Sequence, residues 1–176
     1  MNFRKILSIL AFAIVLQSFQ LSKSIQKKVD KEIKITFDVE NYTLESIQVS
    51  NVINKQLKTK ISADNFYKIS HNNTVIGFAF VDKAPSKTDQ FDYLVLFDVA
   101  LIIKKVKVLI YREDYGGEIG SKRWLKQFIG KTSKDKLHYR KDIVAISGAT
   151  ISANSMTKAV NDVLKTIGIL HQKKII

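Results

Sequence analysis

Residues 66–81 read FYKISHNNTVIGFAFV, and they decide the fold because they place two β-rich runs on either side of a short polar turn. Aromatic and β-branched residues dominate both runs, residues 66–70 and 74–81, as is typical of strands. His71, Asn72 and Asn73 separate the runs, and asparagine tolerates the positive φ angles of tight hairpin turns. The sequence therefore predicts an antiparallel β-hairpin.

Further strands are predicted after this hairpin. Residues 93–97 and 99–111 are again β-rich, and the second run alternates in part between apolar residues and lysines. The only proline, Pro85, lies in a polar stretch, residues 82–90, that is predicted to be a loop. The apolar residues predicted to share one face of the last strand are Val106, Val108 and Ile110.

Three helices are predicted from apolar periodicity. Residues 43–57 show a moderate helical period, a second helix follows Ser121 and stops at Gly130, and a third runs toward Gly168. The apolar face of the second helix is Trp124, Leu125, Phe128 and Ile129, and that of the third is Met156, Val160, Val163, Leu164 and Ile167. Together these elements predict an α+β fold, a curved antiparallel sheet packed against helices that cover it on one side.

The N-terminus predicts export. Arg4 and Lys5 precede an apolar run, residues 6–16, which a small and polar stretch follows as far as Ser24. This is the layout of a secretory signal peptide, and the run is short for a membrane span. We expect residues 1–24 to be a signal peptide or an uncleaved anchor, residues 25–176 to be one domain, and the protein to be periplasmic or otherwise extracytoplasmic.

The amino-acid composition excludes several kinds of cofactor and metal site. The chain has 176 residues and no cysteine, so disulfides, thiolate metal sites, Fe–S clusters and covalent haem are excluded. The three histidines have no metal-ligand spacing, and no metal site is predicted. The formal net charge of +13 favours anionic partners, but the lysines are dispersed, so we expect a solvated basic surface and no nucleic-acid binding.

The residues Ser147-Gly148-Ala149-Thr150 lie between a predicted strand and the last helix. Small residues allow close approach to the backbone, and the unpaired N–H groups and positive dipole end of a helix favour an anion. The motif therefore outlines a phosphate site with a hydroxyl on Thr150. A simpler interpretation is an ordinary turn in which Thr150 or Ser152 is the helix N-cap.

The surroundings of the motif resemble a known family. Residues 142–152, DIVAISGATIS, and residues 111–117, YREDYGG, are both similar to the FMN-binding domain family. That family includes the flavin subunits of the Rnf and sodium-pumping NADH:quinone oxidoreductase complexes. Trp124, Gln127, Phe128, Gly130 and Lys131 extend the resemblance. One departure is Val144, where the family usually has an aspartate and this chain has its nearest one at Asp142.

The resemblance implies that Thr150 carries FMN through a phosphoester bond, and that the protein acts in extracytoplasmic electron transfer. It also implies a flavin transferase that uses FAD and Mg²⁺, and redox partner proteins in the membrane or outside it. Either Tyr115 or Trp124 could lie against the flavin ring, although Trp124 also suits a core position beside Phe128. The implied cofactor-binding residues are Thr150, Ser147, Gly148, Ala149, Ser152, Glu113, Tyr115, Gly116 and Gly117, and none is assigned a catalytic role.

Two alternatives remain at this point. The first is a module that binds flavin or another phosphorylated ligand noncovalently, as a sensor without redox turnover. The second is an exported structural or interaction protein of the same fold that no longer uses the motif. Flavin that survives denaturation would separate the covalent interpretation from both.

Overall fold

The computed structural model describes residues 21–176. The predicted signal peptide or anchor lies largely outside these residues, and its predicted boundary falls within the first helix described. The elements are α1 (Lys23–Phe37), β1 (Thr43–Ser46), α2 (Asn51–Asn54), β2 (Phe66–His71), β3 (Thr74–Pro85), β4 (Gln90–Phe97), β5 (Ile103–Ile110), a 3-10 helix (Gly117–Gly120), α3 (Lys122–Leu125), a 3-10 turn (Lys126–Phe128) and α4 (Thr150–Gln172).

The described strands form one antiparallel sheet in the order β1-β2-β3-β4-β5, so each strand pairs with its neighbours in sequence. The predicted hairpin is confirmed. His71 pairs with Thr74, and the two residues between them, Asn72 and Asn73, have φ angles of 48° and 63°. Positive φ at both central residues gives a turn whose twist matches that of the flanking strands. The predicted α+β class is therefore confirmed.

Helices cover both faces of the sheet. Met156, Val160 and Leu164 of α4 are buried in one cluster with the aromatic residues of β2, β3 and β4. Ile25, Val29 and Ile33 of α1 are buried in a second cluster on the opposite face, with Leu94, Leu96 and other strand residues. The prediction of a sheet covered on one side was therefore wrong. The apolar residues of α1 follow an i, i+4, i+8 pattern, but many lysines surround them in the sequence, and this stretch was interpreted only as polar.

The predicted helix over residues 43–57 was also wrong. Thr43–Ser46 forms the edge strand β1, in which Leu44 pairs with Ile69, and the helix that follows is only α2. Hydrogen bonding to an existing strand outweighs a weak helical period. The predicted loop over residues 82–90 is shorter than expected, because β3 continues to Pro85, which pairs with Gln90 at the strand end.

β5 starts later than predicted and changes face near its end. The Asp98 side chain accepts hydrogen bonds from the N–H groups of Ala100 and Ile102, both at 3.0 Å, and this turn delays the strand to Ile103. A register shift opposite Asp92 and Tyr93 leaves Leu109 out of the pairing. Val106 and Val108 therefore pack toward α4, whereas Ile110 packs toward α1.

The last helix has the predicted core face, and its predicted apolar residues are buried. Gly168 does not end it. A Cβ at that position would lie 2.8 Å from the Ser133 Cβ, so glycine allows the loop before the motif to pack against the helix. Between residues 21 and 176, no helix is long and apolar enough to cross a membrane.

Candidate functional site

The Ser147–Thr150 motif is a tight turn leading into α4. The Ala149 N–H donates to the Ile146 carbonyl at 3.2 Å, and Gly148 has a φ of +78°, which favours glycine. A Cβ at Gly148 would meet no atom of the described residues within 4 Å, so the space that they leave beside this backbone is open. The predicted strand before the motif is absent from this part of the described chain, where Ile143 makes only an isolated bridge to Tyr139. Buried Ile143 and Ile146 anchor the segment instead.

The helix begins at Thr150 without a side-chain cap. Ala149 is the N-cap residue, and the first backbone hydrogen bond of the helix runs from the Ala153 N–H to the Ala149 carbonyl at 2.9 Å. The N–H groups of Thr150, Ile151 and Ser152 therefore have no backbone acceptor within the helix. The simpler interpretation, in which Thr150 or Ser152 is the N-cap, was wrong. What remains is an exposed threonine at the positive end of a 23-residue helix.

A pocket of about 430 Å³ lies at this helix start. Small-molecule sites typically have volumes of roughly 300–1,000 Å³. Six of the predicted site residues line it, namely Gly148, Ala149, Thr150, Ser152, Glu113 and Tyr115. The same pocket is lined by Lys87, Tyr111 and Ile151, which sequence reasoning had not assigned to the site. The structure thus brings the motif and the loop after β5 together around one cavity.

Lys87 and Tyr111 complete this pocket in different ways. Lys87 comes from the loop between β3 and β4, and its exposed, positively charged side chain lines the pocket at the helix start. The Tyr111 hydroxyl lies 3.1 Å from the Ser152 hydroxyl, so buried Ser152 is held by the protein. No local sequence signal marks Lys87, because only the folding of the sheet brings its loop to α4. Tyr111, by contrast, belongs to the stretch that resembles the FMN-binding domain family.

Gly116 is part of the packing beneath the motif. Its φ is +79°, and a Cβ at this position would lie 2.6 Å from the Ala149 Cβ. Its neighbour Gly117 has no atom within 4 Å of an added Cβ. The two predicted glycines are therefore unequal, since Gly116 allows the loop after β5 to contact the motif and Gly117 makes no such close approach.

Glu113 lies at the pocket but is already engaged. Its carboxylate accepts hydrogen bonds from the Thr88 N–H at 2.7 Å, the Thr88 hydroxyl at 2.8 Å and the Asp89 N–H at 3.2 Å. The neighbouring Ser86 side chain and the hydrogen bonds from Thr88 lower the pKa of Glu113 from 4.5 to about 2. Glu113 therefore fixes the loop that carries Lys87.

We expect Glu113→Gln to lower the melting temperature at neutral pH and to have a much smaller effect near pH 2. A carboxyl group with a lowered pKa in the folded state stabilises it above the ordinary pKa, and this contribution is lost as pH falls toward the folded-state value. For Glu113 that window runs from 4.5 down to about 2. Thermal unfolding across this range measures the effect, with exposed Glu118→Gln as the control. A difference from wild type that does not depend on pH would contradict this role.

The tyrosine and tryptophan considered for the flavin ring lie in different environments. Tyr115 is 81% exposed at the pocket, whereas Trp124 is 5% exposed and packs edge-on against Phe128, with ring centroids 5.3 Å apart. The structure therefore places Trp124 in the core and leaves Tyr115 available to a ligand.

A second cavity, of about 560 Å³, borders the motif on the side of Ser147. Here the chain before the motif is held by α3 and the turn after it. The Trp124 indole N–H donates to the Val144 carbonyl at 2.7 Å, and the Val144 N–H donates to Gln127 Oε1 at 2.8 Å. Trp124 and Gln127 therefore position the motif through Val144, whose side chain is 66% exposed. Asp142 is engaged separately, since it accepts from the His138 N–H at 2.8 Å.

We expect Gln127→Ala to increase amide hydrogen exchange at Val144 about fivefold, since one hydrogen bond contributes about 1 kcal/mol. Gln127→Glu is the control, because it keeps the oxygen acceptor for the Val144 N–H and loses only the donor to the Trp124 carbonyl, so exchange at Val144 should stay close to the wild-type rate. Exchange monitored by NMR checks this. Equal protection in the alanine variant would show that Gln127 does not hold the segment.

The charge around Thr150 suits an anion. Lys87 and the helix start are positive, and the carboxylate of Glu113, the one acidic group among the described residues that line the pocket, is bonded to the loop between β3 and β4. Within residues 21–176, no group of three or more His, Asp or Glu side chains could hold a metal ion. A phosphate at the helix start would meet N–H donors, a lysine and a free hydroxyl, which is a chemically consistent phosphate site.

Comparison with known proteins agrees with this chemistry. A family model described as an FMN-binding domain matches residues 28–165, which include every predicted site residue. A search of curated proteins found no match.

Proposed function

Because this chain belongs to the FMN-binding domain family, we propose that it carries FMN covalently on Thr150 and transfers electrons outside the cytoplasm. One observation carries the proposal most strongly. Thr150 is exposed at an uncapped helix start, next to open backbone at Gly148, in a pocket that the basic residue Lys87 also lines. This arrangement accommodates a phosphate and presents an acceptor hydroxyl to it.

The attachment reaction balances with FAD as donor. The Thr150 oxygen forms a bond to the phosphorus of the FMN half, the bond between that phosphorus and the AMP phosphate breaks, and AMP leaves. The hydroxyl proton passes to solvent or to a base of the flavin transferase that catalyses the reaction. Valine or alanine at position 150 provides no oxygen for this bond.

The protein's own residues then orient the cofactor. The N–H groups at the start of α4 and Lys87 would hold the phosphate, and exposed Tyr115 offers an aromatic face next to the same pocket. Bound FMN supplies one-electron and two-electron chemistry, while the protein supplies position and electrostatics. An exposed site of this kind suits exchange with partner proteins, and a covalent link retains the cofactor where no local synthesis replaces it.

The competing function is noncovalent binding of flavin as a sensor. Val144 favours it, because this exposed apolar residue stands where relatives usually have an aspartate, which would change the surface that a flavin transferase meets. Under this alternative the same pocket would hold the phosphate, and denaturation would release the flavin.

A redox assay tests the electron-transfer role. We expect dithionite to reduce the bound FMN and an external acceptor to reoxidise it, whereas NADH alone reduces it slowly because the sequence lacks a Gly-x-Gly-x-x-Gly dinucleotide fingerprint. Absorbance of the flavin follows both steps. Rapid, saturable reduction by NADH without a partner would contradict the carrier role, and a flavin that no donor or acceptor reaches would favour the sensor.

A further inference from the structure

A basic groove lies between α1, β5 and the α3 segment, away from the Thr150 pocket. Its volume is about 670 Å³, larger than that of the phosphate pocket. The basic residues that line it are Lys104, Lys105, Lys107, Lys122, Arg123 and Lys126. The fold thus brings five lysines and one arginine, which are dispersed along the sequence, onto one concave surface.

Most of this charge is uncompensated. Among the described residues, Glu32 is the only carboxylate lining the groove, and it pairs with Lys105 at 2.7 Å and with Lys107 at 3.9 Å. Within residues 21–176, the other four cations, Lys104, Lys122, Arg123 and Lys126, make no ion pair, and all four are exposed. An occupant of the groove therefore has to carry several negative charges.

The groove also has apolar surface. Val106 and Leu125 are each 3% exposed and line it from the protein interior, while Ile35 and Ile129 are 60% and 50% exposed. Both exposed isoleucines line the same groove as the cations. A purely ionic ligand would leave this apolar area unused, whereas a polypeptide with acidic and apolar side chains would use both.

The groove shares two side chains with the cavity beside Ser147. Arg123 and Lys126 also line the cavity that Ser147 and Val144 border. A molecule seated in the groove therefore contacts two side chains that also line the cavity beside Ser147.

We propose that this groove docks an acidic segment, with apolar anchors, of the protein that exchanges electrons with the flavin. The electron-exchange part rests on the proposed function. The concave shape favours an inserted polypeptide over a bilayer, because a flat lipid surface reaches only the rim. Charge complementarity across such an interface sets the association rate and makes it sensitive to salt.

Peptide binding tests the docking part without reference to flavin. The probe is a fluorescein-labelled peptide of repeating Glu-Glu-Leu units, measured by anisotropy at low salt on the wild-type protein. The groove variant combines Lys104→Glu, Lys122→Glu and Lys126→Glu, and the control combines Lys58→Glu, Lys165→Glu and Lys173→Glu, which are exposed lysines elsewhere with the same change in net charge. We expect the groove variant to bind about tenfold or more weakly and the control less than about threefold.

Equal weakening in the two variants, or no binding to wild type, would overturn the docking site. A second arm measures binding to vesicles of phosphatidylcholine with phosphatidylglycerol. If the wild-type protein binds these vesicles and not the peptide, and the groove variant does not bind the vesicles, the groove is a membrane-binding surface instead.

Ferricyanide tests the link to the flavin. Each reduced FMN gives two electrons to two ferricyanide ions and releases two protons. We expect reoxidation by this anion to slow in the groove variant more than in the control. Reoxidation by cationic hexaammineruthenium(III) should instead become faster, and by more in the groove variant than in the control. Equal rates in the two variants would overturn the redox role of the groove. Absence of flavin absorbance would instead be a failure of the proposed function, and the peptide arm would still decide the docking site.

Discussion

Thr150→Val is expected to abolish flavin fluorescence in the denatured protein while leaving the fold intact. Valine keeps the β-branched shape of threonine but has no hydroxyl, so no phosphoester bond can form. The side chain is exposed at the first turn of α4 and is not its cap, so the change in free energy of unfolding should stay within about 0.5 kcal/mol. In-gel fluorescence after co-production with a flavin transferase measures the attachment.

Thr150→Ser is the matched control, because it restores the hydroxyl and is expected to recover part of the signal. A valine variant that retains fluorescence through denaturation would place the attachment on another residue. Peptide mapping of the labelled fragment would then identify that residue.

Gly116→Ala is expected to destabilise the protein and to lower flavin loading. The added methyl group would lie 2.6 Å from the Ala149 Cβ, and the φ of +79° is unfavourable for alanine. The two effects together should cost about 2–3 kcal/mol. That corresponds to a fall in melting temperature of roughly 5–10 °C for a chain of this size. Because Ala149 precedes Thr150, relief of the clash displaces the acceptor as well.

Gly117→Ala provides the comparison one residue along the chain. An added Cβ there has no neighbour within 4 Å, so its melting temperature and flavin loading should match those of wild type. Thermal unfolding and the ratio of flavin to protein absorbance measure both variants. Equal behaviour of the two would show that the loop after β5 does not pack on the motif as the structure has it.

The parts of the fold that the sequence predicts well are those with strong local signals. Asn72 and Asn73 specify the hairpin turn because both adopt positive φ. The stripe from Met156 to Ile167 specifies α4 because its period is sustained over several turns. Gly148 marks the turn before the helix for a similar local reason.

The parts that the sequence does not predict depend on partners distant in the chain. β1 becomes a strand because β2 offers it hydrogen bonds, and Ile110 changes face because of a register shift opposite Asp92 and Tyr93. The candidate site also depends on residues that are distant in the sequence. Lys87 lies at the Thr150 pocket because the sheet brings its loop to α4 and Glu113 holds that loop, and neither residue carries a local pattern that links them.

Intact mass of the wild-type protein, made with an active flavin transferase and then denatured, tests the central claim most directly. Covalent attachment predicts that the denatured chain has gained the mass of one FMN less one water, and that Thr150→Val lacks this gain. An unmodified mass for the wild-type protein under these conditions would contradict the account, and flavin recovered free in the supernatant would favour noncovalent binding.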